Sequence, residues 1–563
     1  MKKFSELEYV RPDFEALRET ASALLERFKR TTNYETARSL FLELQHVCDD
    51  ADTMTAIASI RNTADLSDKF YEEEDLYTSS EYAKMAPFFK SVYRGMCLSR
   101  FRQRLEEEFG SQIFRDMEMS IKLTTYKNVP LSITQSKLCN QYSKLVGLCS
   151  VDFRGEKCNF YGLLKHMEAT DREERREAFL AWAKLYEEVA PKLDIIYNKL
   201  VRNRCAQACN LGYQSYIDMI YPVRGRYDYT ASDVASFREL VCKYITPFCD
   251  RFAKKQAAKL GIDKIKYYDE SLFYPNGNPV PHGDKDAMLS AASQMYHELS
   301  AESGEFFDFM TEHELFDLET RPNKHMGGYC TELKKYKAPF IFSNFNGTAA
   351  DVDVLTHEAG HAFEAYLAMR NQVIPNYAFS TSEVNEIHSM SMELFTYPWM
   401  QLFFGDDVDR RVFTHLYGAL SCIPYLVCVD EFQHKVFEKP EMSVEERYRT
   451  WREIELKYMP WRDYDGNEFL EKGGFWMQKQ HIFLYPFYYI DYALAQLCSF
   501  MFYKRMCEDR DRAWADYLRL CKAGGSKGYF ELLELANLKT PFDEKTFSET
   551  IAFIENRLDS FDY

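Results

Sequence analysis

Two histidines four residues apart, with a glutamate beside the first, stand in the stretch DVLTHEAGHAFEAY (353–366). An α-helix turns by about 100° per residue, so His357 and His361 lie one above the other on a single face. Two imidazole nitrogens placed in this way can reach one zinc ion at about 2.0–2.1 Å. Glu358 sits one step round the helix, within reach of a zinc-bound water but off the ion itself. The trio suits metal-assisted amide hydrolysis. The ion would polarise the scissile carbonyl, while Glu358, as general base, would take the water's proton and pass it to the leaving amine. Leu355, Ala359, Ala362 and Tyr366 fill the opposite face, which predicts a helix buried along one side. Gly360 costs about 1 kcal/mol relative to Ala inside a helix, and leaves room for another backbone to come close.

A zinc site needs a third protein ligand. The stretch STSEVNEIHSMSMELF (380–395) offers Glu383, Glu386, His388 and Glu393. Glu386, Ser389, Met390 and Glu393 share one helical face. A carboxylate there can complete the site, and Glu393, two turns on from Glu386, can accept the second N–H of a zinc histidine. Spacing alone leaves Glu383 and Glu386 as alternatives. His388 points to another side of that helix, as a structural or substrate-facing residue.

Hydrolysis also requires donors for the tetrahedral oxyanion. The stretch WMQKQHIFLYPFYYIDYALAQ (476–496) supplies phenols and an imidazole. Pro486 suits a first helical turn, which places His481 in the loop before it. Tyr488 and Tyr492 are then four apart on one face, with Tyr489 adjacent and Tyr485 at the mouth. Their hydroxyls can donate to an oxyanion or to peptide carbonyls; an aromatic helix packed in a core is the competing reading. Gly327 and Gly328 would let backbone approach a bound peptide closely. PFIFSNF (339–345), with Ser343, is the candidate edge strand for an extended substrate. AGGSKG (523–528) lacks the spacing of a phosphate loop, and Ser526 reads as a helix cap.

The elements that must position these residues are mostly helices. Residues 12–120 read as successive amphipathic helices; in FEALRETASALLERFKR the apolar Phe14, Leu17, Ala21, Leu24, Leu25 and Phe28 fall at helical spacing. Residues 169–212 form one very long helical stretch. Strand-like sequence is rare: two short pieces in 325–348, and KIKYYDESLFYP (264–275) as a further candidate. A small sheet is therefore expected beside the HEAGH helix. With 563 residues the chain exceeds one ordinary core, and a soft division is expected between 1–190, a helical lobe, and 191–563, the catalytic region.

Composition narrows the partners. A net charge of −17 without a basic stripe speaks against nucleic acid. The 15 cysteines contain no C-x-x-C and lack histidines at zinc-finger spacing, as expected of reduced thiols in a cytoplasm. No apolar run follows the two lysines of MKKFSELEYV, so no signal peptide is expected, and no run of apolar residues is long enough to span a membrane.

HEAGH, followed 29 residues after its first histidine by the glutamate of NEIHSMSME, resembles the thimet oligopeptidase and oligoendopeptidase F family of zinc peptidases, in particular its Pz-peptidase-like bacterial members. The likeness runs on through GGYCT, PFIFSNFNGT and AGGSKGYFELLELANL, covering roughly residues 190–550. It implies a mainly α, zincin-like fold with helical lobes around a deep channel. It implies Glu386 as third ligand, within the pattern E-x-x-S-x-x-x-E, to one zinc ion. It also implies that His481 and the tyrosines act on the substrate side of the transition state, with Tyr492 matching directly. The spacing from His481 is one residue shorter than in the thimet branch, so Tyr488 and Tyr489 compete as the inner partner, and helix facing favours Tyr488. The expected activity is endopeptidase cleavage of short unfolded oligopeptides by a cytoplasmic monomer or small homo-oligomer. A zinc exopeptidase and a catalytically silent peptide-binding protein are the rivals.

Overall fold

The computed structural model describes residues 1–325 and 327–563. The elements that bear on function are, in chain order, β1 (Val151–Phe153), β2 (Glu156–Cys158), α1 (Phe160–His166), α2 (Arg172–Asn210), β3 (Phe316–Glu319), β4 (Tyr329–Leu333), β5 (Ala338–Phe345), α3 (Ala349–Asn371), α4 (Ser382–Phe395), α5 (Gln480–Leu484), α6 (Tyr489–Glu508) and α7 (Arg510–Ala523). Most of the remaining chain is helical too, so the expected mainly α fold with a small sheet beside the HEAGH helix holds.

The chain folds as two compact units, each discontinuous in sequence. The first comprises residues 1–124, 280–408 and 501–540; the second comprises 125–279, 409–500 and 541–563. Residue 190 lies inside α2, which belongs wholly to the second unit.

In the first unit the amino-terminal helices pack as their periodicity predicts. Phe14, Ala21, Leu24, Leu25 and Phe28 are the buried residues of the helix Phe14–Arg30. Leu24, Leu25 and Phe28 share a core with Phe41, Phe109, Phe114, Ile374 and Tyr377. The Tyr377 hydroxyl accepts from the Ile113 amide at 3.0 Å and donates to the Phe109 carbonyl at 3.1 Å, tying the segment after α3 to those helices.

The sheet of this unit has the order β3-β5-β4, with β5 parallel to β3 and antiparallel to β4. β5 is therefore the central strand, not the expected edge. Its side chains are buried on both faces apart from half-buried Asn344, which is what a continuous apolar run such as APFIF produces. The edge strands are β3 and β4. Buried Lys324 holds this sheet from beneath, donating to the carbonyls of Asp317 (3.0 Å), Glu319 (2.9 Å) and Ser343, with its ammonium 4.4 Å from the centre of the Phe342 ring.

α3 begins where the Asp351 carboxylate accepts the amides of Asn346 (3.0 Å) and Gly347 (2.7 Å), an acidic group at the positive end of the helix. It packs across β5 and against α4. Gly360 is the contact point. A Cβ there would come within 2.6 Å of the Ser389 Cα and 2.7 Å of the His388 carbonyl oxygen, so only glycine lets the two backbones meet. The close approach expected at Gly360 is thus present.

In the second unit, residues 264–275 do not form a strand. They make a single 3-10 turn, Tyr267–Asp269. Asp269 is drawn into ion pairs with Arg172 (2.9 Å) and Arg175 (2.8 Å) of α2, and Tyr267 and Tyr268 pack on Phe179. A hairpin that the sequence reading missed, β1-β2, turns at Arg154 and Gly155, both with positive φ. Among the described residues one helical stretch, Gln401–Glu438, is long and apolar enough to cross a membrane; 61% of its apolar window is buried inside the protein, as in a core helix.

Candidate active site

α3 and α4 bring His357, His361 and Glu386 together. Glu386 Oε2 lies 3.4 Å from His357 Nε2 and 3.6 Å from His361 Nε2. Ligand atoms about 2.0–2.1 Å from a tetrahedral ion stand roughly 3.3 Å apart, so these separations fit one zinc ion. All three donors lie within 4.8 Å of one another. Of the two carboxylates that spacing left open, Glu386 is the one that converges with the histidines. The Ser389 hydroxyl donates to its Oε2 at 3.1 Å.

Behind this cluster, His357 Nδ1–H donates to Glu393 Oε1 at 2.5 Å. A carboxylate there fixes the tautomer that leaves the Nε2 lone pair for a metal. The same contacts govern proton affinity. Burial lowers the His357 pKa, but its hydrogen bonds to Glu386 and Glu393 outweigh that and raise it well above the usual value. His361 is pulled down to about 4, chiefly by burial. A site that holds one imidazole neutral and braces the other between carboxylates is suited to cation capture.

Glu358 is pushed up to about 7 by burial, with His357 opposing and the charges of Glu386 and Glu393 adding to the rise. Its carboxylate faces the loop before β4: a Cβ on Gly328 would sit 3.6 Å from Glu358 Oε1. Gly327 and Gly328 are exposed, and Gly327 adopts φ +98°, open to glycine at no steric cost. Asn344 pins this loop, donating to the carbonyls of His325 (2.9 Å) and Gly327 (2.8 Å).

The second aromatic constellation belongs to the other unit. His481 lies in the short helix α5 rather than in a loop, because the chain turns only afterwards, at Phe487, with φ +61°. Its ring centre is 4.7 Å from that of Tyr489, 5.8 Å from Tyr485 and Tyr488, and 6.4 Å from Tyr492. Tyr488 and Tyr492 are 5.0 Å apart, Tyr489 is buried, and Tyr485 is 55% exposed. The five residues named from sequence do form one cluster.

Residues 4–124 match the peptidase M3 N-terminal domain, and residues 165–278 and 289–551 match peptidase family M3. The chain belongs to peptidase family M3. The enzyme class expected from sequence, a metallo-oligopeptidase, stands with that membership. The solved structure of PZ peptidase A with inhibitor 2 is 44% identical, superposes with a TM-score of 0.94, and the match covers all of both chains. Oligoendopeptidase-F from Enterococcus faecium, at 17% identity and a TM-score of 0.62 over 97% of each chain, shares the fold. An oligoendopeptidase F homolog of Borreliella burgdorferi is 26% identical over 230 residues, 39% of this chain and only 38% of that protein. Group B oligopeptidase PepB of Streptococcus agalactiae is 23% identical over 83% of this chain and 80% of its own length.

Within this M3 chain one expected substrate contact, His388, is placed elsewhere. His388 is fully buried, its Nδ1 3.3 Å from the Cys521 sulfur of α7 and its Nε2 3.3 Å from Glu364 Oε1, so it braces α3, α4 and α7 and does not face a substrate. Ser343 is buried on the central strand β5, offers its carbonyl to Lys324, and keeps its hydroxyl at the Gly328 loop, 3.8 Å from where a Cβ on Gly328 would sit. Sequence reasoning also missed the brace behind the tyrosines. Asp491, fully buried on α6, pairs with Arg226 (2.5 Å) and Arg224 (3.1 Å); Arg226 donates to the Phe487 carbonyl, and the Arg224 guanidinium lies 4.5 Å from the Tyr488 ring centre. The signal available was the arginine pair of VRGRYD: Asp228 lies four residues from Arg224, but no acidic residue stands at helical spacing from Arg226.

Proposed function

We propose that this M3 peptidase is a zinc-dependent endopeptidase that cuts internal bonds of short unfolded oligopeptides. The observation that carries the reading is the convergence of His357, His361 and Glu386, with Glu393 behind His357. When bound, zinc supplies Lewis-acid polarisation of the scissile carbonyl and acidifies the attacking water. Glu358 takes that water's proton and delivers it to the leaving amine, a task suited to a carboxyl tuned towards neutrality. Glu393 and Ser389 hold the ligands in their working orientation. His481, Tyr488 and Tyr492 steady the oxyanion, and Tyr489 and Tyr485 support the peptide around them; the family pattern supports these roles. An extended substrate adds along β4, the edge strand that follows Gly327 and Gly328. The protein works in the cytoplasm as a monomer or small homo-oligomer, with oligopeptides and no nucleic acid or membrane as its partners.

An internally quenched peptide blocked at both ends tests this. Cleavage at an internal bond, abolished by a chelator and restored by zinc, is the expected outcome. A blocked peptide left intact while a free-ended one is trimmed would make the enzyme an exopeptidase, and no turnover of either would leave a peptide-binding protein.

A further inference from the structure

The second unit holds another set of metal-ligating side chains, remote in sequence from HEAGH. On β2, Glu156 and Cys158 are two residues apart, so their side chains leave the same face of the hairpin. α1 returns His166 to that face. A ring nitrogen of His166, the Cys158 sulfur and a Glu156 carboxylate oxygen all lie within 4.8 Å of one another.

Three further features show that this set is built rather than casual. The Glu174 carboxylate of α2 accepts from His166 Nδ1–H at 2.7 Å, which leaves Nε2 as the donor towards an ion. Glu174 is itself held by Arg154 of the hairpin turn at 2.8 Å. This is the arrangement Glu393 makes with His357, and orienting a ligand histidine through its second nitrogen is a hallmark of metal sites. The Phe153 ring meets His166 at 4.9 Å, near edge-on, and fixes its plane. Cys158 is 5% exposed, and its thiol makes no hydrogen bond among the described residues. A Cβ on Gly162 would come within 3.4 Å of that sulfur, so glycine keeps the pocket at the sulfur open. Burial, with the Glu156 charge, makes the Cys158 thiol hold its proton more tightly than usual, so it is the ion itself, on binding the sulfur, that displaces the proton.

We propose that Glu156, Cys158 and His166 bind one divalent transition-metal ion of the zinc or cobalt type. A thiolate, an imidazole and one carboxylate select a borderline-soft ion over magnesium or calcium, which take oxygen ligands. Binding converts the Cys158 thiol to a thiolate, and the released proton goes to solvent. Exposed Glu156 leaves a path for the ion and a fourth position for water. The ion would clamp the β1-β2 hairpin to α1 and, through Glu174, to the start of α2.

Cobalt(II) reads this site apart from the first, because His357, His361 and Glu386 contain no sulfur. The full-length protein titrated with cobalt(II) chloride should develop a thiolate-to-cobalt charge-transfer band in the near ultraviolet. His357→Ala should keep the band, Cys149→Ser should keep it, and Cys158→Ser should lose it along with one bound ion per chain. Glu156→Gln, a surface change that leaves the fold intact, should weaken the cobalt affinity read from that band at least tenfold while cleavage of a quenched peptide is unchanged. No band in the wild-type chain, a band that survives Cys158→Ser, or an affinity unmoved by Glu156→Gln would each overturn the site.

Discussion

Glu358 carries two properties that a general base needs: a carboxyl placed beside the ligand pair, and a pKa moved towards neutrality by burial. Glu358→Gln keeps the shape and removes the proton acceptor. Peptide turnover should fall about 10³-fold with zinc content unchanged, which metal analysis and kcat on one sample will check. The pH dependence follows with a definite sign. The carboxylate must be ionised to accept a proton, so kcat/KM rises with pH through its pKa. That value is about 7 without metal, and a nearby dication favours the ionised form, so the acid limb belongs below pH 7. A rate that declined from pH 5 to pH 7 would contradict the role. Glu393 acts one step back. Glu393→Gln should weaken zinc affinity by about 10–100-fold, measured by competition with a chelator. At this scale the sequence was legible in part: i, i+4 spacing on one helix brings His357 and His361 together, whereas the choice of Glu386 over Glu383 rests on how α4 packs against α3. The His388 placement was not, since only the packing of α7 shows that its face is sealed.

α3 and α4 pack along much of their length, and Gly360 is the point of closest backbone approach near the histidines and Glu386. Gly360→Ala would drive a methyl into the His388 carbonyl and the Ser389 backbone. Overpacking of this kind costs about 1–3 kcal/mol, so a lower denaturation midpoint together with weaker zinc binding is expected; a loss of stability with unchanged zinc affinity would separate the two helices' roles. The helices themselves could be read from periodicity, and so could the two strands after residue 325. The order of the sheet could not be read from the edge-strand assumption alone. APFIF is apolar without alternation, which marks a strand covered on both faces, and that signal outweighs the polar Ser-Asn pair that follows. The 3-10 turn at Tyr267–Asp269 was hidden for another reason: its conformation depends on arginines of α2 almost a hundred residues away.

Across the whole chain, each compact unit is assembled from separated segments, and local patterns hold no record of that assembly. Residues 1–124 share a core with Ile374 and Tyr377, so the catalytic helices do not form an independent carboxyl-terminal domain. A chain limited to residues 191–563 would expose that core and cut through α2. It should be insoluble or bind a dye for exposed apolar surface, whereas a soluble, zinc-loaded and active fragment would refute this dependence. Composition was informative in a coarser way: 23 glycines and 18 prolines in 563 residues fit the mainly helical fold that is observed.

Anomalous diffraction at the zinc edge, from crystals of the active protein, tests the central claim most directly. It should show a peak about 2.0–2.2 Å from His357 Nε2, His361 Nε2 and a Glu386 carboxylate oxygen. Active crystals with no peak there, or with these three side chains turned to different ions, would contradict it.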